Sequence, residues 1–381
     1  MEEFNLWDLE RINIKVRESF LREINEKIKK INKQKTEAYK IMFKEKEVPW
    51  INFKNMLKPS HIRDFFVPWE VYAKICNKLG ISKEVLQENI ISYKTAGGIN
   101  YIQKPILPIE ITPVFHMLFA HNIGDGTVIN PKKRRLPYFG YRQFDKFYRI
   151  NYIRKIESIF GKINFKEDYF EKSTRPYCPP AISTLFFRYY NLDVGGFNSL
   201  TSRISPKIIG KESLLAVLIA FIIDEGHIDS TQITIVLKNK ALVEDLKKIC
   251  DKLGYKSKVT FRNNETYRDY GYLNILREGM KKLYNDYQVL NQEYPVIDLG
   301  WKGEKLNNSL KIYFRPIYKL KGNRELILEI LKKECLSVNH IASKINMTRQ
   351  GVRYHIHKLI ISKKIKLLDK TKDNWIYGVQ K

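Results

Sequence analysis

Two carboxylates, one hundred residues apart, occupy equivalent points of the chain. Asp125 and Glu225 each follow a run of apolar residues and precede a glycine, in segments 114–126 and 214–226. A helix that is apolar on all sides has to be buried. Each carboxylate is therefore expected at the end of a buried helix, where glycine turns the chain. The pattern therefore favours chemistry that uses two neighbouring carboxylates at the edge of a buried helix–helix contact.

Small residues favour close packing of the two helices. Ala120 and Ala220 coincide when the segments are aligned on their terminal glycines, so the backbones can approach each other. Asp125 and Glu225 would then lie together, and two like charges about 4 Å apart repel by roughly 1–4 kcal/mol. The helix dipoles add negative potential at these ends. A divalent cation such as Mg²⁺, with its waters and a phosphate, would relieve the repulsion.

The order of elements after each acid–glycine pair supports an internal duplication. In the second copy we expect a strand, a helix, two strands and a helix, at residues 232–237, 241–253, 257–261, 271–276 and 278–287. The counterparts in the first copy are 136–144, 148–160, the region 162–190, where prolines interrupt the later strands, and the segment before Leu214. One apolar helix before an acid and glycine arises easily by chance. Two such helices, each followed by an acid and a glycine one hundred residues apart, indicate a shared function.

Charge sets the class of partner. The chain has 381 residues, with 68 Lys+Arg against 41 Asp+Glu and a net charge of +27. This excess predicts a polyanion, and nucleic acid fits better than a membrane surface. The apolar run 214–223 is about half of the ~20 residues that a membrane-spanning helix needs, and the acidic N-terminus has no signal-peptide pattern. We expect an intracellular, cytoplasmic protein whose four dispersed cysteines are buried, reduced thiols.

The N-terminal region is predicted to be helical. Apolar residues at spacings of three and four predict one long basic helix over 10–42, packed on the protein or, alternatively, contacting DNA. Residues 67–95 predict two short helices joined at Gly80, with Ser82 as N-cap of the second. This arrangement resembles a helix-turn-helix, although many helical hairpins look similar, and the polar segment 92–95 follows it.

The C-terminal end predicts a winged helix-turn-helix. A helix at 325–333 should turn Leu326, Ile327 and Ile330 inward, while Ser337 and Thr348 should cap two further helices. A hairpin follows at 364–379. A winged domain can also serve protein contacts alone. DNA binding is the better interpretation because the third helix should expose Arg349, Gln350, Arg353, Tyr354 and Lys358.

Segments 118–126 and 218–226 resemble the paired motifs of the LAGLIDADG homing endonucleases. The resemblance covers residues 105–318 and implies that Asp125 and Glu225 are catalytic and hold the metal. It also implies an α+β fold with two pseudo-symmetric αββαββα halves, motif helices at the interface and sheets along the DNA major groove. A two-motif core with terminal helix-turn-helix segments is similar to certain free-standing archaeal members.

Taken with the terminal segments, the resemblance implies a four-part monomer with internal pseudo-two-fold symmetry. The parts are an N-terminal helical region (1–104) with its helix-turn-helix-like segment (67–95), a first half (105–210), a second half (211–320) and the winged domain (321–381).

Three features depart from the family pattern. His121 and Asn122 place polar groups in the first motif helix, either as interface hydrogen bonds or as signs of decay. Asp224 stands beside Glu225, which leaves the ligand of the second copy ambiguous. Intein splicing signals are missing, which predicts a free-standing or intron-encoded protein.

In that family exposed polar side chains of the sheets read DNA. Segment 132–135, just after the first motif, is the strongest candidate for phosphate contact. The candidates are Lys132, Lys133, Arg134, Arg135, Arg142 and Gln143 in the first copy, and Lys238, Arg262, Arg268 and Tyr270 in the second.

The resulting hypothesis is a site-specific, Mg²⁺-dependent endonuclease acting on double-stranded DNA. The main alternative is a transcriptional regulator built on a non-catalytic endonuclease-like core, and a third is an RNA-binding intron maturase. Under the first two, DNA affinity should fall steeply with salt.

Overall fold

The computed structural model describes residues 2–43, 48–58, 66–131, 136–165, 169–262, 270–314, 322–345, 347–370 and 375–380. The chain divides into two compact units. The first consists of Met1–Ile228 and Gln232–Gly303, and the second of Asp229–Thr231 and Glu304–Lys381. Helices alternate with small sheets, and every described strand pairing is antiparallel. The α+β class expected from the sequence agrees with the structure at this level.

The N-terminal region contains a sheet as well as helices, so the expectation of a helical region is wrong. Its elements are β1 (Glu3–Phe4), β2 (Ile12–Val16), α1 (Glu18–Ile31), α2 (Lys35–Met42), α3 (Trp50–Met56), β3 (Val67–Pro68), α4 (Trp69–Lys78), α5 (Lys83–Glu88), β4 (Ile90–Thr95), β5 (Ile102–Gln103) and β6 (Ile109–Glu110).

The single long helix predicted for 10–42 is also wrong. Ile12, Ile14 and Val16 are buried while the two residues between them are half-exposed, which is the period of a strand. The helical spacing of apolar residues starts only with Phe20. Val16 fits both periods, and pairing with β4 decided between them.

The N-terminal sheet has five strands in the order β3-β2-β4-β5-β9, where β9 (Lys162–Ile163) comes from the first motif copy. The segment 92–95, predicted from the sequence to be polar, belongs to β4, and its Tyr93 is only 1% exposed.

The hairpin of α4 and α5 lies where predicted. Gly80 turns the chain with φ +68°, and the Ser82 side chain accepts a hydrogen bond from the Val85 N–H.

The first motif copy has fewer strands than predicted. It consists of α6 (Pro113–Ile123), β7 (Gly126–Ile129), β8 (Tyr138–Tyr141), α7 (Lys146–Phe160), β9, α8 (Tyr169–Lys172) and α9 (Pro180–Tyr190). Among the described residues only β7 and β8 form a sheet of this copy, so the αββαββα pattern is wrong in its later part. Pro179 and Pro180 start α9 there, because proline suits the first position of a helix.

The second motif copy has the predicted αββαββα order. Its elements are α10 (Lys211–Glu225), β10 (Gly226–Ile228), β11 (Gln232–Leu237), α11 (Lys240–Leu253), β12 (Ser257–Arg262), β13 (Tyr270–Leu276) and α12 (Arg277–Glu293). The strands form one sheet in the order β10-β11-β13-β12. The order of elements in the two copies therefore agrees over the αββα part alone.

The motif helices α6 and α10 pack directly against each other at the centre of the first unit. All of α6 is buried, as is α10 from Leu214 to Ile223, and both Ala120 and Ala220 are 0% exposed. The predicted buried pair is confirmed. Within the described ranges, no helix is long and apolar enough to cross a membrane.

The last helices and strands lie where the C-terminal sequence predicts them. After α13 (Trp301–Phe314) come α14 (Asn323–Lys333), β14 (Leu336–Ser337), α15 (Val338–Lys344), α16 (Arg349–Ile361), β15 (Ile365–Lys370) and β16 (Trp375–Val379), with sheet order β14-β16-β15.

Two predicted caps are present in this unit. Ser337 accepts a hydrogen bond from the His340 N–H, and Thr348 accepts one from the Gly351 N–H. Leu326 does not point inward as predicted, because it is 36% exposed. Ile327 is buried as predicted, Ile330 is half-buried, and Leu331, one helical turn after Ile327, completes the buried stripe of α14.

The cysteines are free thiols, as expected. Cys76, Cys178 and Cys250 are buried, and burial raises the pKa of each thiol to about 12. Cys335 is exposed, so the expectation of four buried thiols is wrong at this position.

Candidate active site

The two motif carboxylates emerge at the same end of the helix pair. Asp125 follows the last turn of α6 and Gly124, and Glu225 is the last residue of α10. Both are half-buried, although the helices behind them are fully buried. The charge of Glu225 acts on Asp125 and raises its pKa, so the structure brings together the two acids that the sequence singled out.

This carboxylate cluster is electrostatically unfavourable when fully ionised. Burial and the charges of Asp224 and Glu225 raise the pKa of Asp125 to about 8. Burial and Asp224 also raise the pKa of Glu225. Each acid therefore holds its proton more tightly than a free carboxyl group does, unless a cation compensates the negative charge.

Asp224, the ambiguous ligand of the second copy, points into the protein. Its side chain is 0% exposed and accepts a hydrogen bond from the Tyr141 hydroxyl at 2.7 Å. Both of its oxygens lie 3.0 Å from Nδ1 of His121. Burial raises the pKa of Asp224 to about 7. Glu225 remains the accessible carboxylate at the end of α10.

The polar residues of the first motif helix make interface hydrogen bonds. His121 pairs with Asp224 across the two motif helices, and burial together with the Lys155 charge keeps its pKa well below the usual value. Asn122 accepts a hydrogen bond from the Tyr152 hydroxyl at 2.8 Å. Of the two interpretations left open by the sequence, an interface hydrogen bond describes His121, whereas Asn122 bonds to α7 of its own copy.

Gly124 gives Asp224 the room that it occupies. A Cβ atom on Gly124 would lie 2.7 Å from Oδ2 of Asp224, closer than real Cβ contacts allow. Gly124 and Asp224 occupy equivalent positions in the two motifs, directly before Asp125 and Glu225. The missing side chain of Gly124 leaves the space that the carboxylate of Asp224 fills.

Gln143, predicted as a DNA contact, is part of the carboxylate cluster. Its side-chain amide donates a hydrogen bond to Oδ2 of Asp125 and thereby opposes the rise in the pKa of Asp125. This hydrogen bond fixes Oδ2 and leaves Oδ1 of the carboxylate for a ligand.

Lys302 is the main site residue that the sequence analysis missed. Its Nζ donates to the carbonyl oxygens of Ile222, Ile223 and Gly226 at 2.9, 2.6 and 2.9 Å, and the residue is 8% exposed. Its charge lowers the pKa of Asp125, Asp224 and Glu225. Lys302 follows its motif by 76 residues on another helix, a spacing that carries no recognisable signal.

A second buried cation lies behind the cluster. Lys155 of α7 is 1% exposed, and burial lowers its pKa to about 8. The charges of Asp224 and Asp298 act in the other direction and raise its pKa. In the sequence it is one more lysine of a basic helix, so only packing reveals its position.

The other predicted DNA contacts have different outcomes. Segment 132–135, with Lys132, Lys133, Arg134 and Arg135, lies outside the described residues, as does Arg268. Arg142 and Lys238 are exposed. The Cζ atom of Arg142 lies 5.6 Å from the ring centre of Phe144, and the Nζ atom of Lys238 lies 5.6 Å from the ring centre of Tyr270. Arg262 is the last residue of β12. The five residues predicted to be presented by the third C-terminal helix are all exposed on α16: Arg349, Gln350, Arg353, Tyr354 and Lys358.

The donor set fits a divalent cation that brings its own waters and phosphate. Among the described residues, no group of three or more His, Cys, Asp or Glu side chains forms a complete metal cage. Asp125 and Glu225 supply two oxygen donors with raised pKa values. Mg²⁺ commonly binds one or two carboxylates and completes its shell with water and phosphate oxygens.

His116, also on α6, gives the fold a specific sensitivity to acid. It is 5% exposed, its Nδ1 lies 2.7 Å from the Tyr190 hydroxyl, and burial lowers its pKa to about 4. The unfolded chain takes up this proton near pH 6.5 but the folded protein does not, so stability falls as pH drops through this window. When the pH falls from 7 to 4.5, the free energy of unfolding should decrease in both proteins. The decrease should be about 2 kcal/mol smaller in the His116→Asn variant than in the wild type. Urea titrations at both pH values measure this, and equal losses would contradict it.

Comparison with known proteins gives low-scoring structural matches. No family model matches the chain, and no curated protein is similar to it. The homing endonuclease I-DmoI in complex with DNA and Mn shares 16% identity over 44% of this chain and 93% of that chain, with a TM-score of 0.32. Full-length DUF199/WhiA from Thermatoga maritima shares 13% identity over 66% of this chain and 90% of that chain, with a TM-score of 0.29. These scores do not assign the chain to a family.

Proposed function

We propose that this protein is a divalent-metal-dependent, site-specific DNA endonuclease in which Asp125 and Glu225 hold the metal. The observation that carries the proposal is their meeting at the end of two packed motif helices, with raised pKa values. A protein without catalytic need has no physical reason to keep two repelling acids at such a seam. The paired motif segments, which resemble those of LAGLIDADG endonucleases, support the same conclusion.

Each surrounding residue has a role in this mechanism. A bound Mg²⁺ would supply water activation and stabilisation of the departing 3′-oxygen. Asp125 and Glu225 provide the negative charge that binds the cation, and Gln143 orients Asp125. Lys302 fixes the end of α10, and therefore the position of Glu225, through three backbone carbonyls.

Binding of double-stranded DNA is the second part of the proposal. A net charge of +27 and the exposed cations of α16 support it, because phosphate neutralisation supplies most of the affinity for a duplex. We retain the α4–α5 hairpin and the C-terminal three-helix unit as proposed helix-turn-helix contacts. The four-part domain division, with boundaries at 104, 210 and 320, belongs to the same proposal.

Cleavage of genomic DNA with and without Mg²⁺, followed by sequencing of the break ends, tests the endonuclease directly. Asp125→Asn and Glu225→Gln keep the size of each side chain but remove its charge. Each should lower the cleavage rate at least about a hundredfold while leaving duplex affinity nearly unchanged. The control is Asp251→Asn, an exposed carboxylate on α11.

A second readout does not depend on activity. Mn²⁺ should raise the Tm of the wild-type protein and of the Asp251→Asn control, because it binds the folded state. The increase should shrink in both active-site variants. Full cleavage by both of these variants would overturn the assignment of Asp125 and Glu225.

A DNA-binding regulator is the second candidate function. The observation that favours it is the first motif copy, in which only β7 and β8 form a sheet among the described residues, so one DNA-reading surface is reduced. Sequence-specific binding without breaks under Mg²⁺, Mn²⁺ and Ca²⁺ would select the regulator.

A further inference from the structure

The N-terminal sheet has an outer face that the sequence analysis did not identify. Residue pairing places Asn13 opposite Lys94, Lys15 opposite Ser92, Ser92 opposite Gln103, and Gln103 opposite Lys162. Because paired residues of neighbouring strands lie on the same side of a sheet, all six share one face. The outer face is defined by these residues: Asn13, Lys15, Ser92, Lys94, Gln103 and Lys162.

The opposite side of the same sheet is the packed one. Ile12, Ile14, Tyr93, Ile102 and Ile163 alternate with the outer-face residues and are at most 4% exposed. On the outer face Lys15 and Lys94 are half-exposed and Lys162 is exposed, whereas Ser92 between them is only 7% exposed. The sheet therefore has one buried apolar side and one basic, polar side, and the lysines of the outer face are positioned by rigid backbone.

The positive charge of the outer face is not neutralised within the sheet. None of the five strands contains Asp or Glu. Among the ion pairs of the described residues, none involves Lys15, Lys94 or Lys162. Three cations that have no carboxylate partner within the described ranges, on a rigid surface, form a site for a polyanion.

An aromatic residue holds two of these cations in place. The Nζ atoms of Lys15 and Lys94 lie 4.9 and 4.7 Å from the ring centre of Phe66, so the two charges are no more than about 10 Å apart. Phe66 in turn packs on Tyr101 with ring centres 5.3 Å apart, and the Gln103 amide donates to the Tyr101 hydroxyl at 3.2 Å. This arrangement restrains flexible lysine side chains before any ligand binds.

We propose that the outer face is a second DNA-contact surface, which binds the phosphate backbone of the duplex outside the cleavage site. The inference rests on the proposed endonuclease function. Lysines and amides are typical phosphate contacts, which position a protein on DNA without reading its sequence. The Phe66 ring contacts ammonium groups, which favours backbone contact over the stacking of unpaired bases.

The test is the salt dependence of duplex affinity in the absence of divalent metal. The variant K15Q/K94Q/K162Q should bind a long target duplex at least about tenfold more weakly at ~0.1 M salt. The slope of log affinity against log salt should become shallower by about 2 to 3, one step for each lost phosphate contact. Arginine at the same three positions should restore both values. Hydroxyl-radical footprints should lose protection at one end in the glutamine variant.

The matched control removes the same charge elsewhere. K30Q/K211Q/K252Q changes three exposed lysines on α1, α10 and α11 and should alter affinity and slope much less. Equal effects in the two triple variants would overturn the inference while leaving the endonuclease intact. A wild-type protein that binds no duplex would overturn the proposed function as well. Lys162→Glu, at an exposed edge without ring contacts, repeats the test if the triple variant fails to fold.

Discussion

Replacing Lys302 with methionine is expected to lower the free energy of unfolding by about 3 kcal/mol or more. Methionine keeps the apolar length of the side chain but removes the only part that donates to the carbonyls of Ile222, Ile223 and Gly226. It also removes a positive charge that lowers the pKa of three neighbouring carboxylates. Lys155 is then the buried cation that still acts on Asp224, and the negative charge of the cluster is less compensated in a largely buried place.

Urea denaturation of the Lys302→Met variant measures this loss, with Lys311→Met, an exposed site on the same helix, as the control. Adding Glu225→Gln should recover part of the stability, because it removes one of the repelling charges. Millimolar Mn²⁺ should also raise the Tm of Lys302→Met. A variant as stable as wild type, or one that Glu225→Gln destabilises further, would contradict the role given to Lys302.

Gly124→Ala is expected to lower the free energy of unfolding by about 2 kcal/mol and to impair the proposed cleavage activity strongly. The new methyl group would lie 2.7 Å from Oδ2 of Asp224. Asp224 cannot turn away easily, since Tyr141 and His121 hold its carboxylate. The helix ends would separate instead, and that movement would displace Asp125 from Glu225. Catalytic carboxylates that share a ligand tolerate little displacement.

A double-mutant cycle isolates this contact. Asp224→Ala alone should destabilise the protein, because it leaves the Tyr141 hydroxyl and His121 without their buried partner. Gly124→Ala combined with Asp224→Ala should be less destabilised than the sum of the single changes by at least about 1 kcal/mol. Simple additivity would show that the steric contact is not what limits alanine at position 124.

Elements with strong local signals were predicted from the sequence. Uniform apolarity identified the two motif helices, and the elements of the second motif copy from β11 to α12 lie where they were predicted. The short strand β10 was not among the elements predicted from the residues. Ser82, Ser337 and Thr348 were predicted as N-caps, because a cap requires only a hydroxyl group and a backbone a few residues away.

Prediction failed where a segment's structure depends on distant partners. Val16 satisfies both a strand and a helix period, and pairing with β4 selected the strand. The segment before α9 was expected to contain strands of the first copy, but β9 pairs with β5 of the N-terminal sheet instead. Strand pairing is non-local, so the residues of one segment do not specify it.

The sequence by itself determined which two acids lie at the paired ends of the motif helices, because Asp125 and Glu225 stand at equivalent ends of two helices that must be buried. Tertiary structure alone decided which neighbouring groups control them. It turned Asp224 inward toward Tyr141 and His121 and placed Lys302 beneath the end of α10. It also gathered three lysines onto one face of the N-terminal sheet. The physical reason is that burial and Coulomb interactions depend on distance in space, whereas sequence spacing reports only distance along the chain.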